Sequence, residues 1–189
     1  MIARWGGATI FLHWLGAGLV LFLLAEGWIM VHAGLGAASA FDLYQLHKSL
    51  GFLALATLAP RLLARALWAG PAPLASLARW EVLAASATHR ALYALMLMAG
   101  LSGWLVVSSA TIAIPTRFFG WFVIPNLGGA NDAVFAWSSL AHSAVATGIA
   151  GLATLHAAAA LKHHFWDRDA VLARMLPWRR DGSHELPIP

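Results

Sequence analysis

The chain has 189 residues, of which 60% are hydrophobic and only 11% are charged. Soluble domains carry about 45–50% apolar and about 25% charged residues, so this composition excludes a water-soluble globular protein and indicates an integral membrane protein. The chain has nine His and no Cys. The lack of Cys excludes thiolate-bound zinc, iron–sulfur clusters, disulfides and covalent c-type haem attachment. Histidine is therefore the side chain left for metal or cofactor chemistry.

Four segments of the chain are apolar and long enough to cross a bilayer, which takes about 20 residues. In chain order they cover residues 8–31, 46–67, 89–109 and 139–164. A Gly/Ala-rich connection separates the first two segments, and Pro71 and Pro73 follow the second. A linker that carries Arg79 and Glu81 leads to the third segment, and a Pro- and Gly-containing stretch over 108–132 predicts a structured loop before the fourth.

The positions of Lys and Arg predict how these segments are oriented, because cytoplasmic loops are enriched in basic residues. Only Lys48 and Arg117 fall on one side of the membrane in a four-span arrangement. The other ten basic residues fall on the opposite side: Arg4, Arg61, Arg65, Arg79, Arg90, Lys162, Arg168, Arg174, Arg179 and Arg180. We predict one all-α membrane domain over 1–189, a bundle of four transmembrane helices with both termini in the cytoplasm. The net charge of +4 is then explained by orientation and not by binding to nucleic acid.

Histidines inside membrane spans are costly and mark candidate functional sites. His142 and His156 lie fourteen residues apart in the fourth span, which places them about 21 Å apart along a helix and within about 40° of the same face. His47 and Arg61 show the same interval in the second span. This pattern predicts two sites at two depths, with Arg61 available to pair with a carboxylate of a bound cofactor at the inner one. His32 and His184 are predicted to lie in a loop and in the tail.

The pattern of these histidines favours haem over other metal sites. Structural zinc takes about four ligands at one tetrahedral point, and histidine-rich di-iron sites need closely spaced clusters, which the chain lacks. Haem takes two axial imidazoles from facing helices and needs no Cys. Depth pairs His47 with His142 at the outer site. At the inner site we pair His13 with His156, and His89, next to Arg90 at the predicted mouth of the third span, remains a possible replacement for either.

Three segments resemble the bacterial cytochrome b561 family of small four-helix di-haem membrane proteins, related to the cytochrome b subunits of nickel–iron hydrogenase and formate dehydrogenase. They are FLHW (11–14), HKSLGFL (47–53) and LHAAAALKHHFWDRDAVLARMLP (155–177). The resemblance implies two b-type haems in the bacterial inner membrane, an outer one held by His47 and His142 and an inner one by His13 and His156. Arg61 is the expected partner of a haem propionate.

The resemblance extends to stand-alone members that oxidise superoxide at the outer face and reduce ubiquinone. It implies an oxidoreductase with a quinone site near His163 and Arg79, and we add His89 as a further candidate for a quinone or proton site. Superoxide would be steered by Lys48 and Arg117, although the same face is predicted to carry acidic residues, Glu26, Asp42 and Asp132. Two alternatives stay open: an anchor subunit that links a periplasmic dehydrogenase or hydrogenase to the quinone pool, and a non-redox transporter lined by histidines.

Overall fold

The computed structural model describes residues 3–68, 70–112 and 114–177. In these residues, four helices are long and apolar enough to cross a membrane, as predicted. They are α1 (Gly7–His32), α2 (Ala37–Leu67), α3 (Arg79–Ser109) and α4 (Asp132–Lys162). Successive helices are antiparallel neighbours: α1 packs on α2, α2 on α3 and α3 on α4. Large apolar side chains cover the outside of the bundle, as expected for a surface that faces lipid.

Three helices begin several residues before the predicted spans, because hydropathy locates the apolar part of a helix and not its capping residues. The predicted connection before residue 46 is helical from Ala37 onward, and the predicted linker at Arg79 is the first turn of α3. At the start of α3, a Glu81 carboxylate oxygen accepts a hydrogen bond from the Ala78 N–H at 3.0 Å. The Asn131 side chain caps α4 by accepting from the Val134 N–H at 3.0 Å.

The loop between α3 and α4 contains a β-hairpin. Strands β1 (Thr116–Phe118) and β2 (Phe122–Ile124) pair antiparallel with Arg117 opposite Val123. The turn between them contains Gly120 with φ +81°, a conformation that glycine adopts without steric cost. We call this end of the bundle, where α1 and α3 end, the hairpin end, and the opposite end the terminal end.

A π-helical turn (His163–Asp167) follows α4 directly, and a 3₁₀ turn (Ala173–Met175) follows it. The π turn is closed by Arg168, which has a φ of +54°, and by a hydrogen bond from the Asp169 N–H to the His163 carbonyl at 3.1 Å. π turns are rare in proteins and occur frequently at functional sites. This turn brings the side chain of His163 close to those of Asp167 and Asp169 at the terminal end.

Candidate functional site

The first candidate site lies between the helices in the hairpin half of the bundle. His47 on α2 and His142 on α4 face each other with ring centres 6.2 Å apart. They line an apolar cavity to which all four helices contribute, with Leu23, Leu55 and Met96 among its walls. Gly51 also lines this cavity, and a Cβ atom at that position would meet no atom within 4 Å. The site therefore combines two imidazoles with open apolar space.

Neutral groups hold the His142 ring in place. Its Nδ1 lies 3.0 Å from the Ala99 carbonyl oxygen and 3.2 Å from the Ser102 hydroxyl. A Cβ at Gly103 would come within 3.1 Å of His142 Cε1, so glycine at this position leaves the ring the room it needs. Donation from Nδ1–H to the carbonyl leaves the Nε2 lone pair available for a metal ion.

Glu26 is a residue of this site that the sequence analysis assigned incorrectly. We expected it on the outer face of the membrane, but its side chain is only 2% exposed and its Oε2 lies 3.3 Å from His47 Nδ1. A carboxylate behind a ligand imidazole is a common arrangement in metal sites. The available signal was a single carboxylate late in an otherwise apolar span, and it could not identify the partner on another helix.

The second candidate site lies toward the terminal end and contains three histidines. The ring centre of His156 lies 6.2 Å from that of His13 and 5.1 Å from that of His89. All three rings are half-buried. They come from α1, α3 and α4, so this half of the bundle has one more imidazole than the hairpin half.

His89 lies deeper than we predicted. We placed it at the mouth of the third span, at the boundary with water. Because α3 begins at Arg79, His89 follows the helix start by ten residues, or about 15 Å along the axis. Its side chain is therefore beside His156, within the bundle.

Arg61 on α2 also reaches this second site, as predicted from its spacing. Its Nη2 lies 3.5 Å from His13 Nδ1, and its guanidinium carbon is 5.4 Å from the centre of the Tyr93 ring. A Cβ at Gly16 would overlap Arg61 Nη1. Glycine at position 16 thus lets a cation lie between α1 and α2.

The distances between the imidazoles fit a metal ion with two axial histidines. Two imidazoles that bind one metal ion from opposite sides, at about 2 Å per metal–nitrogen bond, have ring centres about 6 Å apart. The separation in both the His47–His142 and the His13–His156 pair is 6.2 Å, whereas that of His89 and His156 is shorter. The donor set, the spacing and the apolar walls of the first site are those that haem requires.

A polar cluster occupies the surface of the terminal end. His163 Nδ1 lies 2.7 Å from an Asp169 oxygen and 3.0 Å from an Asp167 oxygen. Lys162 Nζ lies 2.7 Å from an Asp167 oxygen and 3.4 Å from a Glu81 oxygen, so it links the two carboxylates. Because Glu81 is in the first turn of α3, this cluster brings the start of α3, where the exposed Arg79 lies, close to His163.

Two of the predicted site residues, Lys48 and Arg117, both belong to the hairpin end. The buried Ser49 hydroxyl donates to the Arg117 carbonyl at 3.1 Å and accepts from the Phe119 N–H at 3.1 Å. The Gln45 side chain accepts from the Arg117 N–H at 3.3 Å. The hairpin is thus bound to the turn of α2 that carries His47 and Lys48.

His32 and His184 were predicted to lie in a loop and in the tail. His32 is the last residue of α1, its ring stacks on that of Trp28, and its Nδ1 lies 2.8 Å from the Trp28 carbonyl. It is exposed. His184 lies outside the described residues.

Comparison with known proteins agrees with the resemblance seen in the sequence. The family profile of prokaryotic cytochrome b561 matches residues 4–178. A curated protein from Escherichia coli (strain K12), cytochrome b561 homolog 2, is 36% identical over 173 residues, which cover 92% of this chain and 91% of that protein. With four apolar helices of membrane-spanning length, the chain belongs to the prokaryotic cytochrome b561 family of multi-pass membrane proteins, which transfer electrons by means of b-type haem.

Proposed function

We propose that this protein carries electrons across the bacterial inner membrane through two b haems, from a donor at the outer face to ubiquinone at the inner face. The observation that supports this most strongly is the repetition of one geometry. Two pairs of imidazoles, each with ring centres 6.2 Å apart, occupy two levels of one bundle. In this proposal His47 and His142 hold the outer haem, and His13 and His156 hold the inner one.

In this proposal the hairpin end faces outward and the terminal end faces the cytoplasm. The supporting observation is the charge distribution: of the Lys and Arg residues that the structure describes, only Lys48 and Arg117 belong to the hairpin end. The terminal end carries Arg79 in the first turn of α3 and Lys162 at the end of α4, and the exposed Arg90 lies farther along α3 in the same half of the bundle. A basic cytoplasmic side is the usual orientation of membrane proteins.

The chain's own residues position each cofactor and exclude water from it. When bound, haem b supplies reversible one-electron transfer at its iron. The two imidazoles of each pair would hold one haem, which would then serve in electron transfer and not in oxygen binding. Arg61, held between α1 and α2 by the space at Gly16, is placed to pair with a propionate of the inner haem. The apolar side chains around His47 and His142 keep the outer haem dry.

The cluster at the terminal end provides what quinone reduction requires besides electrons. Reduction of ubiquinone to the quinol consumes two protons, which must come from groups that contact the cytoplasm. His163 has its Nδ1 within hydrogen-bonding distance of Asp167 and Asp169, which can hand protons to the ring from solvent. We place the quinone head group near His163 and Arg79, with His89 on the side of the inner haem.

Superoxide is the outer donor that we favour. It is an anion, and the hairpin that carries Arg117 is hydrogen-bonded to the turn of α2 that carries His47 and Lys48. Burial of Glu26 against His47 also removes one of the three acidic residues expected on that face. A positive surface raises the local concentration of an anion and its association rate.

The test is rapid mixing of the quinone-loaded protein with superoxide while haem absorbance is followed. Fast haem reduction followed by quinol formation supports the proposal. Two haems that superoxide does not reduce, together with a soluble dehydrogenase or hydrogenase that co-purifies, indicate the anchor-subunit alternative. Colourless protein that transports a metal ion or protons in liposomes indicates a transporter.

The double variant Lys48→Ser/Arg117→Ser tests the steering of superoxide. It should react more slowly with superoxide and with a weaker dependence on salt, whereas Arg90→Ser, in the opposite half of the bundle, should change neither.

A further inference from the structure

Glu26 carries a buried carboxylate that faces His47, a proposed haem ligand. The described residues give neither Glu26 oxygen an aligned hydrogen bond, and the same holds for His47 Nδ1. These two orphaned groups face each other at 3.3 Å. A buried carboxylate without a partner is costly, so a small rotation that aligns the His47 N–H with Glu26 satisfies both groups at once.

The other proposed ligands have different partners. His142 Nδ1 faces the neutral Ala99 carbonyl at 3.0 Å. His13 Nδ1 faces the Arg61 guanidinium at 3.5 Å. Of the ion pairs found in the described part of the chain, the one between Glu26 and His47 is the only one that involves any of the four proposed ligands. One haem site therefore has an anionic partner, and the other has a cationic one.

We propose that Glu26 is a positioning residue for the outer haem. The Glu26 carboxylate accepts a hydrogen bond from the Nδ1–H of His47, and it lowers the reduction potential of the outer haem below that of the inner haem. The hydrogen bond fixes the tautomer in which Nε2 is the metal ligand. This inference rests on the proposed ligation by His47 and His142. It adds an acidic residue that neither the spacing of the histidines nor the family comparison assigns.

The sign of the effect follows from the charge of the iron. Oxidised haem iron carries one more positive charge than reduced iron, so a nearby carboxylate stabilises the oxidised state and lowers the potential. Arg61 beside His13 has the opposite effect on the inner haem. One electron then leaves the outer haem and enters the inner haem downhill, without bond formation or proton transfer in that step. The charges thus favour electron flow from the hairpin end to the terminal end.

The test is a spectroelectrochemical titration of the purified protein, of Glu26→Gln and of Glu26→Asp. Glutamine keeps the size and an acceptor oxygen but removes the charge. We expect the outer-haem potential in Glu26→Gln to rise, with at least a tenfold change in the equilibrium between the two haems, or about 59 mV for one electron. The inner-haem potential should stay unchanged, and Glu26→Asp should restore part of the shift. Asp42→Asn is the matched control, because it removes an exposed carboxylate from the same helix as His47.

Each outcome supports or overturns the inference. Two haems with unshifted potentials in Glu26→Gln, or an equal shift in Asp42→Asn, overturn it and leave the proposed function intact. If Glu26→Gln loses haem, the potentials of the unmodified protein are compared with the potential of His142→Ala instead. The inference then requires that the haem missing from His142→Ala is the one with the lower potential. Fewer than two haems per chain in the unmodified protein contradicts the proposed function itself, before any potential is compared.

Discussion

The hairpin half and the terminal half of the bundle repeat one geometry in two electrostatic settings. Each half holds a pair of imidazoles with ring centres 6.2 Å apart. In the hairpin half, Nδ1 of His47 faces the Glu26 carboxylate and Nδ1 of His142 faces a backbone carbonyl. In the terminal half, Arg61 lies against His13, and a third imidazole lies beside His156. In our proposal the imidazole pairs determine which cofactor binds, and the surrounding charges set its reduction potential.

The largest effect that we expect comes from removing one ligand of the hairpin half. His142→Ala should lower the haem content from two to one per chain and leave the haem of the terminal half in place, because the two sites share no proposed ligand. Pyridine haemochrome analysis against protein concentration measures this ratio. His32→Ala, at an exposed position, is the control. Retention of both haems in His142→Ala would refute the pairing of His47 with His142.

The third imidazole of the terminal half provides the next test of the comparison. We expect His13→Ala to lose one haem and His89→Ala to keep two, because only His13 lies at the separation from His156 that two axial ligands need. The same haem assay measures both variants. The opposite result, with loss in His89→Ala and retention in His13→Ala, would make His89 the inner ligand.

A smaller effect should follow from adding one methyl group behind His142. In Gly103→Ala the new Cβ would lie 3.1 Å from His142 Cε1, so the ring must move. We expect faster transfer of the outer haem to apomyoglobin, by up to about tenfold, the lower end of what supporting residues of metal sites contribute. Gly148→Ala is the control on α4, because its Cβ would only make ordinary contact with Leu95. Equal transfer rates in both variants would mean that His142 is not constrained at Gly103.

The smallest effect concerns the hairpin, which has no counterpart among the residues described in the terminal half. Ser49→Ala removes the hydroxyl that joins α2 to Arg117 and Phe119, and the loss of one such hydrogen bond costs about 0.5–1.5 kcal/mol. Hydrogen exchange of 116–124 should therefore become faster, while both haems stay bound. Thr154→Ala, which removes an exposed hydroxyl on α4, should leave that exchange unchanged. If Ser49→Ala also leaves the hydrogen exchange of 116–124 unchanged, Ser49 does not hold the hairpin against α2.

The fold could be predicted from the sequence where the signal is local. Apolar runs of sufficient length predicted four helices, and the structure has them. The starts of α2, α3 and α4 were predicted too late, because capping by residues such as Glu81 and Asn131 leaves no trace in hydropathy. The hairpin strands are three residues long, too short for a periodic pattern.

The sites could be predicted as far as helix geometry determines them. A spacing of fourteen residues puts His142 and His156 on one face of α4, and the structure brings a second imidazole to each. The positions of Glu26 and His89 could not be predicted, because each depends on a partner in another helix: Glu26 on His47, and His89 on His156. Such contacts depend on the rotation of each helix, which weak amphipathicity leaves undetermined in a membrane.

The central claim is that one bundle holds two haems, each between two histidines. The most direct measurement is haem content combined with near-infrared magnetic circular dichroism of the purified, unmodified protein. We predict two b haems per chain, both low-spin with bis-histidine ligation. One haem per chain, or a haem with any other axial ligation, would contradict the account.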